Sequence, residues 1–126
     1  MVLLAMMVVS GAILAMVFVS YEFSEKPVSE EESLKIAHEF LLNSPTFKFD
    51  GMRETVELVK SSYSEDHSGW EFVFTFSCRH AGYGDRSGQA LLQVITPHTM
   101  YIRVEDGKVV YAVIDGSWDV IEQRNI

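Results

Sequence analysis

Trp70-Glu71-Phe72-Val73-Phe74-Thr75-Phe76-Ser77-Cys78 is the stretch that decides the fold. Trp70, Phe72, Phe74, Phe76 and Cys78 alternate with Glu71, Val73, Thr75 and Ser77. Successive side chains of a strand point to opposite faces, so this period of two turns four aromatic rings and a thiol to one side. Such a row needs cover. It reads as the core face of a sheet rather than a ligand groove, and a helix upstream can supply the cover.

That helix begins at Ser29-Glu30-Glu31-Glu32, a capping-box pattern with Ser29 as N-cap and Glu32 three residues later. Leu34, Ala37, Phe40 and Leu41 then fall on one stripe, with Ile36 at its border. The acidic first turn suits the positive end of the helix dipole and reads as a solvated helix start. Asn43-Ser44-Pro45 stops the helix, and Thr46–Gly51 reads as a short stretch closing in an Asp50-Gly51 turn.

Downstream, residues 53–63 read as a weakly alternating strand, 64–69 as a polar turn and 79–89 (RHAGYGDRSGQ) as a loop with three glycines. Residues 90–96 (ALLQVIT) read as a strand broken at Pro97, which has no N–H for a ladder. Residues 99–104 and 108–115 flank Asp106-Gly107, a tight hairpin signal. Gly116–Asp119 makes a last bend before a short tail. The sum is an α+β domain over residues 29–126, one amphipathic helix packed on a twisted antiparallel sheet of about five strands.

The 126-residue chain carries 18 acidic and 10 basic side chains, a net charge of -8. Its first 21 residues, MVLLAMMVVSGAILAMVFVSY, hold no charged side chain. Twenty such residues in a helix span about 30 Å, the thickness of a bilayer's hydrocarbon core. Residues 1–21 are therefore expected to form a transmembrane anchor or a signal segment, with residues 22–28 as a tether. A cleaved signal peptide would want a basic start and small residues at the cut, and Phe18 at −3 of a cut after Ser20 fits poorly. The tether has little basic character, which favours a domain outside the cell membrane, or a secreted one if the first twenty residues are removed.

The scattered, outnumbered basic residues argue against nucleic acid as a partner. Cys78 is the lone cysteine, so no internal disulfide or paired-cysteine zinc knuckle can form. No cofactor is expected.

In element order over residues 29–120, the chain resembles the cystatin-like group of folds, and among them the PepSY-type domains that follow signal peptides or membrane anchors. The residues behind the resemblance are the helix end Ile36-Ala37-x-x-Phe40-Leu41, the Trp70 strand and the Asp106-Gly107-Lys108-Val109-Val110 hairpin. The protease-inhibiting members of the group carry a Gln-x-Val-x-Gly loop and a Pro-Trp hairpin. Here Gln93-Val94-Ile95 lacks that glycine and Ser117-Trp118 matches the second only in part, so inhibition is not implied.

The loop 79–89 holds the candidate binding residues. Arg79 and Arg86 can fork onto a carboxylate or phosphate, and Tyr83 offers a stacking face. His80 and, after the next strand, His98 add imidazoles. The structural alternative pairs Asp85 with Arg79 or Arg86 to fasten the loop, with Tyr83 covering the sheet end. Cys78, His80 and His98 could supply soft metal ligands, but zinc sites show more regular spacing. Cys78 as a nucleophile, with His80 or His98 as base, would need a position unlike the end of a core strand. The expected role is thus non-enzymatic binding of a protein partner or ligand at the membrane surface, with the alternative a small-anion carrier or enzyme using Arg79–Gln89 and His98.

Overall fold

A computed structural model describes residues 28–126. The segment expected to cross the membrane, and the tether up to residue 27, lie outside the described residues. Among the described residues no helix is long and apolar enough to cross a membrane.

Helix α1 (Glu30–Asn43) starts where the capping pattern places it: the Ser29 side chain accepts from the Glu32 N–H at 3.2 Å. It ends at Ser44, whose φ of -64° and ψ of 144° are the extended geometry that a following proline imposes. Pro45 then opens a second helix, α2 (Pro45–Asp50), where only a short stretch closing in an Asp50-Gly51 turn was expected. Proline fits a first helical position because its φ is preset and its missing N–H would have no partner there.

Six strands follow: β1 (Gly51–Ser64), β2 (Gly69–Cys78), β3 (Thr96–Glu105), β4 (Lys108–Ile114), β5 (Trp118–Asp119) and β6 (Arg124–Asn125). They form one antiparallel meander in the order β1-β2-β3-β4-β5-β6. This corrects the expected cystatin-like arrangement of one helix and about five strands. The tail expected after Asp119 contributes β6, and a second short helix precedes the sheet.

A further correction concerns residues 90–96. Only Thr96 belongs to a strand, and Ala90–Ile95 run outside the sheet. The place beside β2 is taken by the continuous strand β3, in register from Cys78↔Thr96 to Gly69↔Glu105. Pro97 sits inside β3 opposite Ser77 instead of breaking it. It is tolerated because β4 pairs with β3 only from Met100 onward, so no neighbour on that side calls for its N–H.

Alternation along β2 does turn Phe72, Phe74, Phe76 and Cys78 to one face, and all four are buried. Met100, Ile102 and Val104 from β3, with Ala112 and Ile114 from β4, extend that face. Ala37 and Leu41 of α1 and Phe47 of α2 cover it. Phe47 meets Phe76 edge to face with centroids 5.5 Å apart. Burying each such ring contributes roughly 1.5–3 kcal/mol.

The chain enters at the Gly69 end of β2, where the Trp70 indole N–H donates to the Val28 carbonyl at 3.3 Å. Val28, expected in the tether, is thus docked on the domain. Ser61 donates to Glu30 at 2.6 Å and fixes the start of α1 at that same end. The connection 79–95 leaves from the opposite end, roughly 30 Å away along a ten-residue strand.

Candidate functional site

Two polar anchors tie the 79–89 loop to the domain. At the first, Asp50 at the end of α2 places one carboxylate oxygen on the Arg86 guanidinium. The other accepts from the His80 backbone N–H at 2.7 Å and lies 2.9 Å from His80 Nδ1. Arg86 also donates to the Gly82 carbonyl at 2.9 Å, and its guanidinium carbon lies 4.7 Å from the centre of the Phe49 ring. Arg86 is 2% exposed. Gly82, at φ +105°, allows this close approach: a Cβ there would come within 2.7 Å of Arg86 Cδ.

The second anchor is built on Asp115. One carboxylate oxygen accepts from the Thr99 N–H at 2.8 Å; the other lies 2.6 Å from His98 Nδ1 and accepts from Tyr83 Oη at 3.0 Å. Tyr83 stacks on Trp118 at 5.6 Å with planes 10° apart. Its phenol is pushed above the usual range, first by burial and then by the Asp115 carboxylate, while the Ser117 hydroxyl partly offsets both. Asp115 and Gly116 have φ of 54° and 68°, the paired left-handed geometry of a tight hairpin turn. The Ser117 N–H closes it onto the Ile114 carbonyl at 3.0 Å.

The six candidate residues therefore do not share one cavity. His80 and Arg86 belong to the Asp50 anchor, whereas Tyr83 and His98 belong to the Asp115 anchor. His98 is an inward-facing residue of β3, opposite Phe76. Asp85 pairs with neither arginine. It accepts from the Ser87 N–H at 2.9 Å and from the Ser87 hydroxyl, and these donors hold its carboxyl below the usual range. Arg79 is exposed. With Met52, His80, Gln93 and Ile95 it lines a cavity of about 370 Å³.

Cys78 is fully buried and its thiol is pushed up to about 12, mainly by burial and then by the Asp50 charge. That suppresses the thiolate a nucleophile or metal ligand needs. Among the described residues no three His, Cys, Asp or Glu side chains converge as a metal-holding set.

Sequence reading missed Asp50, Thr46 and Asp115, the groups that do the fastening. Thr46 accepts from the Gly84 N–H at 2.8 Å through its hydroxyl. Asp50 and Asp115 each precede a glycine, a turn signal that carries no information about a distant partner.

On the uncovered face of the sheet, Tyr101 and Tyr111 meet edge to face at 5.7 Å, and the Arg103 guanidinium lies 5.1 Å from the Tyr111 centroid. No protein-family model, curated protein or solved structure matches this chain.

Proposed function

We propose that the chain is a membrane-directed, non-enzymatic binding domain that engages a protein partner through Ala90–Ile95. The observation that carries this reading is the exposure of Leu92, Val94 and Ile95, at 80%, 54% and 65%. Three large apolar side chains in one uncharged run, outside any strand, form the kind of contiguous apolar surface that marks an interaction site. Charge supports a protein rather than nucleic acid as partner, since the chain is net -8 and clusters no basic residues.

Position supports a protein rather than lipid. The apolar segment 1–21 directs the chain to the membrane, and the domain is entered at Val28, at the end of β2 remote from the 79–95 connection. The exposed run is carried away from the bilayer. Non-enzymatic action is supported by the anchors, which commit Arg86 to a buried ion pair and His98 Nδ1 to the Asp115 carboxylate, and by the suppressed Cys78 thiolate.

A photo-cross-linking amino acid in place of Leu92, in the full chain in its native membrane, tests the reading. The expected result is an adduct with another polypeptide that disappears when Val94→Asp is added. Adducts with lipid alone, or none, would overturn it.

A further inference from the structure

We infer that the cavity beside Arg79 and His80 is a binding site for an organic monocarboxylate with a compact apolar body. The cavity shares Gln93 and Ile95 with the docking segment proposed above, whereas Leu92 and Val94 do not line it, so loss of docking in Val94→Asp and loss of ligand in Arg79→Gln are separable.

His80 is the first part of the site. Its ring is held by Asp50 through Nδ1 at 2.9 Å, and its backbone N–H is held by the same carboxylate at 2.7 Å. A carboxylate only accepts, so Nδ1 carries a proton. Nε2 lies on the far side of the ring, and among the described residues no protein group bonds it. Its orientation is set by a buried partner, and Nε2 donates to a ligand carboxylate only as the second N–H of an imidazolium, so the hydrogen bond at this nitrogen is made together with uptake of one proton.

Charge is the second part. The single negative charge of Asp50 is already matched by Arg86, whose guanidinium is buried against it. Arg79 adds a positive charge that forms no ion pair among the described residues, and no carboxylate lines the cavity. In a chain of net charge -8 this is a local positive spot. A guanidinium presents a planar fork of N–H donors that matches a carboxylate, and the Gln93 amide adds a further donor at the rim.

The remaining walls decide between a carboxylate and a phosphate. A phosphate dianion needs a nest of convergent backbone N–H groups or several cations. Here the Arg79 N–H is spent on the Asp50 carbonyl at 3.2 Å and the His80 N–H on the Asp50 carboxylate. Met52 and Ile95 instead offer apolar contact, Ile95 being 65% exposed and so free to close on a ligand body. A volume of about 370 Å³ is at the lower end of small-molecule pockets, which limits the body to a ring or a short chain.

The test uses the full chain in nanodiscs, with methyl labels on methionine and isoleucine, titrated with benzoate, benzyl alcohol and inorganic phosphate. Benzoate is expected to shift the Met52 and Ile95 methyl signals saturably and to leave Met100 and Ile102 in place. Arg79→Gln and His80→Ala are each expected to weaken benzoate by about tenfold or more, the loss of one charge-assisted hydrogen bond. Unmoved Met100 and Ile102 signals in those variants show that the core is intact. Absence of saturable shifts at Met52 and Ile95, equal affinity for benzyl alcohol, or phosphate binding as tightly as benzoate would each overturn the assignment.

Discussion

Asp50 and Arg86 form a buried ion pair, with side chains 6% and 2% exposed, that joins the end of α2 to a loop 36 residues further along the chain. Removing one partner leaves the other as an uncompensated buried charge. Asp50→Asn is expected to destabilise the protein by about 3–5 kcal/mol, the range for a broken buried pair. Replacing both, as Asp50→Leu with Arg86→Met, is expected to cost less than either single change, because no lone charge stays inside. Thermal unfolding followed by near-ultraviolet circular dichroism reads both; purely additive losses would mean that the two residues do not act as a pair.

Cys78 supplies a prediction about reactivity. With the thiol held at about 12 by burial and the Asp50 charge, only about one part in ten thousand is thiolate at pH 8. The native protein is expected to resist alkylation by iodoacetamide at pH 8 and to react fully once unfolded in denaturant. Asp50→Asn is expected to expose the thiol earlier along a denaturant series, since it loosens the loop packed beside Cys78. Rapid alkylation of the native protein would contradict the burial on which this rests.

What the residues revealed in advance, and what they hid, follows from the range of each interaction. Local signals were legible. The Ser29 cap lies three residues from its partner, the β2 alternation is a property of nine consecutive residues, and Asp106-Gly107 is a turn in two. At Pro45–Asp50 the proline reads only as the stop of the first helix, whereas proline at a first helical position also opens a turn of helix. Ala90–Ile95 has strand-forming residues, yet β3 takes the position beside β2, and strand propensity yields to which segment pairs best. The anchors were the least legible. Asp50 is separated from Arg86 and His80 by the whole β1–β2 hairpin, and Asp115 meets His98 across a strand pair. The loop glycines did carry information, because Gly82 and Gly84 adopt the positive φ that their composition allowed.

Asp115 is expected to be sensitive to the kind of substitution as much as to its size. Alanine removes the acceptor for the Thr99 N–H, the Tyr83 hydroxyl and His98 Nδ1 together, and strains a residue at φ 54°. Of these donors only His98 is buried, and a buried donor left unsatisfied costs about 1–3 kcal/mol, whereas the exposed Thr99 N–H and Tyr83 hydroxyl turn to water. Asparagine keeps one acceptor oxygen and tolerates the left-handed turn geometry. Asp115→Ala is therefore expected to lose about 2–3 kcal/mol and Asp115→Asn roughly 1 kcal/mol, by the same thermal unfolding measurement. Equal losses would overturn this account, since asparagine keeps both an acceptor oxygen and the turn geometry that alanine lacks.

Tyr101 gives the pH dependence at the alkaline end. Burial first, and then the Glu71 carboxylate, raise its phenol from 10.0 to about 12, while Arg103 acts in the opposite sense. The folded state holds the phenolic proton more tightly than the unfolded chain does. The stabilisation is thus fully present below pH 10 and is lost as the pH rises from about 10 through about 12. Tyr101→Phe has no phenol to ionise, so its stability is expected to fall less steeply than that of the unaltered protein over this window. Ultraviolet absorbance of the phenolate offers a second reading, in which the late-titrating part of the native protein shrinks by one tyrosine in Tyr101→Phe, the raised Tyr83 phenol remaining. Parallel stability curves for the two proteins between pH 10 and 12 would remove Tyr101 as the cause of the alkaline loss.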